Sequence, residues 1–465
     1  MKYLVLDTNI PLSSADNIIT LGQEPGVTIV LPEIVLAELD NKKSGFEEIN
    51  YQARVTARLL SSAKVVGTEV TLYGNKTTIK IGEQIVLIIG LNEYKANSND
   101  SGGNDQRIIE TAKALMGSVG SDDEVVIISI DYYMRLRALV VGVKAEDLKI
   151  VEAADHEFVK HMEIVDEDIF RTLHDTNIYV VDPDHKLENY SYKFNCESMG
   201  QMKLATIVNG MIKVLGKDTE AELRKQDCPP INSEQLLTSR AIQDQKIDMV
   251  IVEGQAGSGK NITAVSNAIA LLRASKGKYT SIIYLRNSIN DEEKGEDIGY
   301  VSGNDEKYGM YLGPMEDTID YITRNRLKRK QNEKREDYEL RVQEKIEELK
   351  KEFGMESLIT TGLRGRTFHN AIVILDEWQN TSIATSQKVI TRMGDDCKLI
   401  VIGSQRQIDN KWVTKYNNGL AVLMEEARSR EVETNVNMFA IELKKVVRSE
   451  MAKFAEELFS KRKVR

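Results

Sequence analysis

At 465 residues the chain is longer than a single ordinary hydrophobic core supports, so its length points to two domains and a joint between them. A hydrophobic fraction of 41% and a charged fraction of 29% suit a globular protein and exclude a disordered or fibrous one. The net charge of −10 excludes nonspecific wrapping of nucleic acid over the whole surface, but it leaves room for a local basic channel.

The N-terminal apolar run is interrupted by Asp7, which leaves neither a signal-peptide core nor an apolar span of about 20 residues, so a cytoplasmic protein without a membrane partner is expected. From Met1 to about Ala153, β-branched runs at Tyr3 to Leu6, Thr28 to Leu31 and Val125 to Ile130 read as buried parallel strands. Helical patterns lie between them, around Glu33 to Asp40 and Asp105 to Met116. Val65 to Ile89 reads as an added antiparallel pair turning at Tyr73-Gly74-Asn75-Lys76. Asp7 follows the first strand, Glu38 lies in a helix, Asp105 opens another and Asp131 ends the third strand. Carboxylates at strand ends and helix starts of one parallel sheet converge on the edge where such folds bind ligands. Four acids there repel one another unless cations lie between them, so Mg2+ or Mn2+ is the expected partner, and such an ion activates water for phosphodiester cleavage.

Residues 154–230 carry a weaker pattern, with a strand expected at Ile178 to Val181 and a stop at Cys228-Pro229-Pro230. Lacking Gly/Ser or Pro bias, this stretch reads as a connecting subdomain rather than a loose linker. Cys196, Cys228 and Cys397 have no paired spacing, so neither a zinc site nor a disulfide framework is expected.

A second α/β pattern fills residues 231–465, with strands at Met249 to Glu253, Ser281 to Leu285, Ala371 to Leu375 and Lys398 to Ile402. The first runs into Gly254-Gln255-Ala256-Gly257-Ser258-Gly259-Lys260 and then a helical run from Ile262 to Leu272. Glycines let the loop curl its amides around a phosphate and Lys260 neutralises the β/γ oxygens, so this is a P-loop for ATP. Asn261 stands where a Ser or Thr hydroxyl usually binds magnesium; its amide oxygen can coordinate with altered geometry, which predicts looser metal positioning and slow hydrolysis. The apolar strand ending in Asp376-Glu377 supplies a carboxylate for the magnesium shell and a second to orient or deprotonate the attacking water. Arg324 to Phe353 is basic and then acidic, as in a long solvated helix or helical hairpin.

With these residues in place, the C-terminal half resembles the PhoH-like family. Arg364-Gly365-Arg366-Thr367 leading into Leu375-Asp376-Glu377-Trp378-Gln379-Asn380 looks like its signature, with Trp378 where a small residue is usual, and Gly299-Tyr300-Val301-Ser302-Gly303 resembles another of its segments. Gly403 to Asp409 resembles its sensor element, which implies that Gln407 senses the γ-phosphate, although Ser404 replaces the usual acid. Asn232 and Gln235 look like its adenine-reading element, and Val447-Arg448-Ser449 like its closing motif, with Arg448 reaching a γ-phosphate from its own or a neighbouring subunit. The N-terminal acids, with Ile130-Asp131 and Arg135 to Ala138, resemble the PIN family.

The resemblances imply a PIN-like parallel-sheet nuclease domain followed by a RecA-like P-loop ATPase domain. They also imply an ATP-dependent RNA helicase coupled to a metal-dependent endoribonuclease acting on single-stranded RNA, assembled as a homo-hexameric ring. Two rival expectations are an ATP-gated ribonuclease without unwinding and a nucleotide-binding scaffold with degenerate sites.

Overall fold

In a computed structural model the chain is described for residues 1–44, 48–92, 103–148, 158–164, 166–175, 191–208, 211–287, 305–363, 365–410, 412–429, 432–445, 447, 451 and 454. It divides into two compact units, one of Met1–Glu152 with Ser382–Ala384 and Lys411–Asn417, the other of Ala153–Thr381, Thr385–Asn410 and Asn418–Arg465.

The first unit is built on a seven-stranded sheet. Its strands are β1 (Lys2–Leu6), β2 (Val27–Pro32), β3 (Lys64–Val70), β4 (Gly74–Ile81), β5 (Gln84–Leu91), β6 (Glu124–Ile128) and β7 (Lys144–Glu146), in the order β3-β4-β5-β2-β1-β6-β7. β1 pairs in parallel with β2 on one side and β6 on the other, so the connection direction reverses at β1 and a crevice opens beyond its C-terminal end. Val5, Leu6, Val30, Leu31, Val126 and Ile127 are fully buried, because helices cover both faces and allow continuous apolar runs in place of alternation. Those helices include α1 (Glu33–Asn41), α2 (Gly103–Met116) and α3 (Tyr132–Val140). α2 forms because Ile108, Ile109, Ala112 and Leu115 recur at helical spacing and are all buried.

The region expected to form one antiparallel pair instead folds as three strands, β3, β4 and β5, antiparallel in turn, which extend the sheet edge, and the first reversal comes earlier than the sequence suggested. Thr71 closes the turn, its hydroxyl donating to the Gly74 carbonyl at 2.6 Å. Gly74 is instead the first residue of β4, with φ 149°, where an added Cβ would lie 1.9 Å from the Gly90 carbonyl oxygen.

The second unit holds two sheets. The smaller contains β8 (Val159–Glu163), β9 (Ser191–Cys196), β10 (Gln201–Val208) and β11 (Met211–Val214), in the order β11-β10-β9-β8. The strand expected at residues 178–181 lies outside the described residues. The larger contains β12 (Met249–Gly254), β13 (Ser281–Arg286), β14 (Met355–Ile359), β15 (Ala371–Asp376), β16 (Lys398–Gly403) and β17 (Met438–Leu443). Its order is β14-β13-β15-β16-β12-β17, and every pairing is parallel. A single strand, β16, separates the P-loop strand β12 from the acid-bearing β15, so their C-terminal ends open on one edge. α4 (Ser233–Gln243) and α5 (Lys260–Ala274) pack on this sheet, with Leu236, Leu237, Val265 and Ala268 in the same core as Val250 and Ile402.

The charged stretch is a helical hairpin of α6 (Asp305–Arg326) and α7 (Arg335–Glu352). Arg324 grips Glu339 through two hydrogen bonds of 3.2 and 2.7 Å, and α7 buries only Val342 and Leu349, which is why this segment reads as solvated. Among the described residues no helix is long and apolar enough to cross a membrane. The three cysteines are free thiols.

Candidate functional site

The nucleotide site is assembled where β12 meets α5. Gly257 and Gly259 adopt φ of 81° and 85°, left-handed values that side-chain-bearing residues resist, and this curls the loop so that α5 begins at Lys260. The Lys260 ammonium donates to the carbonyls of Gly254 and, at 3.1 Å, Gln255, which places it over the loop. Ala256 belongs to the same curl, and the Ser258 hydroxyl is buried within it without a hydrogen-bond partner. A helix N-terminus, a cation and an orphaned hydroxyl gathered in one glycine-curled loop fit a nucleotide phosphate. Gln235 braces the loop from outside: its amide nitrogen donates to the Ser258 carbonyl at 2.9 Å, while its oxygen accepts from the Ile231 N–H at 3.0 Å. Asn232 caps α4 by accepting from the Gln235 N–H. Both ends of the Gln235 carboxamide are thus engaged within the protein.

Asp376, at the end of β15, is fully buried. Its carboxylate accepts the Tyr284 hydroxyl at 2.5 Å, and the same phenol oxygen accepts from Asn261 Nδ2 at 3.2 Å. With Asp376 ionised the phenol must donate to it, so the Asn261 amide meets the phenol through its nitrogen and keeps Oδ1 as its free coordinating atom. Burial and the neighbouring Glu377 raise the Asp376 pKa, opposed by Arg286 and the Tyr284 hydrogen bond. Arg286 faces Asp376 across the β13–β15 register, with Nε 3.5 Å from its carboxylate and Nη2 4.0 Å from that of Glu377. Burial and the Asp376 charge hold the Tyr284 pKa well above its ordinary value, so it stays a neutral donor. Asn261 and Asp376 therefore offer a hard oxygen set suited to Mg2+ beside the phosphate cradle.

Glu377 has φ 52°, an uncommon left-handed conformation for a residue with a side chain, and strain of this kind collects at functional sites. Gln379 holds it there. The Gln379 amide nitrogen donates to the Glu377 carboxylate at 2.6 Å and to the Gln407 carbonyl at 2.8 Å, while its oxygen accepts from the Ser404 N–H at 2.9 Å. Gln407 meets this bridge through its backbone, and its side chain is exposed. Trp378 is fully buried, and it is accommodated because Gly419, which lacks a Cβ, lies against its indole nitrogen. Arg366 forms a paired contact with Glu356 at 2.7 Å for both bonds. Arg448, Arg364 and residues 299–303 lie outside the described residues.

In the first unit, Asp7 is buried where β1 ends. It accepts from the Thr8 N–H at 2.6 Å, Asn9 Nδ2 at 2.7 Å and the Ser129 hydroxyl at 2.5 Å. Even so its pKa is raised to about 6, mainly by burial and further by the charges of Asp105 and Glu38. Glu38, on α1, accepts from the Thr8 hydroxyl and from Asn104 at 2.6 Å. Asp105, in the first turn of α2, has its pKa raised by burial and by Asp131 and Glu38, against the opposing charge of Arg137 at 2.9 Å. Asp131 caps α3 by accepting from the amides of Tyr133 and Met134. Glu38 and Asp131 are thus close enough for their charges to act on Asp105, and Glu38 and Asp105 on Asp7, although among the described residues no three carboxylates, histidines or cysteines form a ready-made metal cluster. Hard oxygen donors gathered so that their charges raise the pKa values of Asp7 and Asp105 fit a divalent cation by chemistry.

Ser129, Tyr284, Arg286 and Gln379 carry these geometries without having been singled out as site residues in the sequence. Ser129 had one signal, a hydroxyl interrupting the apolar run that ends at Asp131. Tyr284 and Arg286 sit inside or at the end of an ordinary strand pattern and gave none.

The folds and sites define a two-part α/β protein in which an acid-lined parallel-sheet domain precedes a P-loop ATPase domain. The sequence profile of the family described as "PhoH-like protein" matches residues 228–460, and that of the PIN domain matches residues 4–149. The chain belongs to the PhoH-like family, with a PIN nuclease domain joined ahead of its ATPase domain. It is similar to Protein PhoH2 of Bacillus subtilis, 24% identical over 98% of this chain and 99% of the relative. Protein PhoH2 of Thermobispora bispora is 25% identical over 91% and 89% of the two chains. A PhoH-like protein of Bacillus subtilis is 30% identical over 46% of this chain and 59% of its own length.

Proposed function

We propose that this protein is an ATP-dependent RNA helicase coupled to a metal-dependent endoribonuclease that processes or degrades single-stranded RNA in the cytoplasm, working as a ring of six copies. The observation that carries the reading is that one polypeptide holds both a braced nucleotide site, with Glu377 fixed by Gln379 beside Asp376, and a cluster of four interacting carboxylates.

In the ATPase domain Lys260 and the loop amides bind the phosphates, Asn261 and Asp376 would hold Mg2+, and Glu377 orients and deprotonates the attacking water. Gln379 ties Glu377 to the Ser404–Gln407 segment, so a change at the phosphate is transmitted to a second element of the sheet edge. In the PIN domain Asp7, Glu38, Asp105 and Asp131 would hold Mg2+ or Mn2+, which when bound supplies an acidified water and charge neutralisation for phosphodiester cleavage. Ser129, Asn9 and Thr8 keep the Asp7 carboxylate in place. Covalent linkage of the two domains gives the acid cluster a high effective concentration of any RNA held by the ATPase domain.

The test is to incubate end-labelled single-stranded RNA, and a tailed RNA duplex, with the protein and Mg2+ or Mn2+, with and without ATP. Internal cleavage together with ATP-dependent strand displacement is the expected result. Cleavage stimulated by ATP without displacement would replace the helicase reading with an ATP-gated nuclease, and neither activity would leave a nucleotide-binding scaffold.

A further inference from the structure

Asp131 does two things: it joins the acid cluster and it fixes the start of α3. Its carboxylate accepts from the Tyr133 N–H at 2.7 Å and the Met134 N–H at 3.3 Å, which pins the first turn of the helix. That turn opens with two aromatic residues that stay in solvent, Tyr132 at 60% and Tyr133 at 73% exposure. Their rings meet edge to face, with centroids 6.0 Å apart and planes inclined by 66°. The Arg135 guanidinium lies 5.8 Å from the Tyr132 ring centroid. One turn beyond Tyr133, Arg137 pairs with Asp105 of the acid cluster at 2.9 Å, so the helix end bearing the rings lies against the cluster.

We propose that Tyr132 and Tyr133 form a stacking platform for the unpaired bases of an RNA strand, next to the phosphodiester presented to the acid cluster. The inference rests on the ribonuclease reading of that cluster and adds the means by which substrate is held. A nucleobase has two apolar faces that stack on phenol rings whatever its identity, and this is how proteins hold single strands without reading sequence. The chemistry on this face selects bases rather than phosphates: Arg135 pairs with Asp147 at 3.3 Å and Arg137 with Asp105, so what projects is π surface next to tethered cations. Leu136 and Leu139 continue an exposed apolar strip along α3, and a protein partner seated there is the competing occupant. Adjacency of the rings to the acids favours the RNA strand. It follows that paired RNA, whose base faces are covered, is a poor substrate.

The experiment uses the full chain carrying Tyr132→Trp, with EDTA present to prevent cleavage. Fluorescence is followed while a short unstructured RNA, or an abasic oligonucleotide of equal length, is added. Saturable quenching by the RNA and none by the abasic strand is expected. In parallel, Tyr132→Ala and Tyr133→Ala should each raise the KM for single-strand cleavage roughly tenfold, with kcat and the ATPase rate little changed. RNA that binds and is cleaved without quenching overturns the platform while leaving the nuclease reading intact. Alanine variants that change sedimentation but not KM overturn it in favour of a protein interface. Base-dependent quenching in a protein that cleaves no RNA supports the platform and removes the nuclease reading.

Discussion

Asp7 accepts three hydrogen bonds and still titrates near 6, because burial and two neighbouring carboxylates outweigh them. Its folded pKa lies above the unfolded value, so the folded state binds more protons between about pH 4 and 6. The contribution to stability is therefore present below that window and lost as pH rises through it, by about 3 kcal/mol for a shift of this size. In metal-free protein, the melting temperature of wild type relative to Asp7→Asn should fall between pH 4 and pH 7, and Mg2+ or Mn2+ should restore it. A difference that stays flat across that range would refute the assignment. Tyr284 gives a second expectation at this scale. Its hydroxyl lowers the Asp376 pKa and orients Asn261, so Tyr284→Phe should move the acidic limb of the ATPase profile to higher pH and raise the Mg2+ needed for half-maximal rate several-fold. An unchanged pH profile and Mg2+ requirement would show that the phenol only fills space. The chain Asn261–Tyr284–Asp376 also bears on the slow hydrolysis expected from Asn261, since the amide has a defined partner that a Thr at this position would lack.

Elements are joined by single buried side chains at points where the backbone leaves acceptors unpaired. Lys398, the first residue of β16, is fully buried and its ammonium donates to the carbonyls of Ala241, Asp244 and Ile247, at 3.2, 2.8 and 2.7 Å. These carbonyls belong to the end of α4 and the turn that leads to β12, so one cation closes the helix terminus onto the sheet. Burial lowers the Lys398 pKa to about 7, which places the charge close to its limit of tolerance at neutral pH. Lys398→Met keeps the length of the side chain and removes the donor, so it should destabilise the second unit by roughly 2 to 4 kcal/mol, because the Ala241 and Ile247 carbonyls lose their partner while that of Asp244 keeps the Ile247 N–H. Chemical denaturation with a domain-specific probe checks this, and a loss under about 1 kcal/mol would mean that water replaces the ammonium.

For the whole molecule, the two chemistries should separate by mutation. Asp7→Asn should abolish RNA cleavage and leave ATP hydrolysis in place, because the acid cluster and the P-loop belong to different cores. Lys260→Ala should lower nucleotide affinity at least tenfold, since the loop loses the cation that balances the phosphates, and it should leave ATP-independent cleavage measurable. Cleavage that persists in purified Asp7→Asn would remove the nuclease assignment. Unchanged nucleotide affinity in calorimetry of Lys260→Ala would remove the loop assignment.

Local pattern determined a large part of this protein. Parallel strands buried on both faces are continuous apolar runs, and a phosphate loop is a contiguous string with glycines at fixed offsets, so β1, β2, β6, β12, β13, β15, β16 and the loop at Gly254 to Lys260 could be read directly from the sequence. Edge strands β14 and β17 escaped, as did the small sheet β8 to β11, because their formation depends on which neighbours they meet more than on their own periodicity. The turn before β4 was placed at Tyr73 to Lys76 but closes between Thr71 and Gly74, where the Thr71 N–H and hydroxyl both donate to the Gly74 carbonyl. Only the tertiary structure decided which side chains converge across distant segments: Ser129 on Asp7, Tyr284 and Arg286 on Asp376, and Gln379 on Glu377. Their spacing along the chain carries no signal, because a hydrogen bond or a burial-driven pKa shift depends on distance and dielectric in the folded state, and those exist only after the sheets have brought the strand ends together.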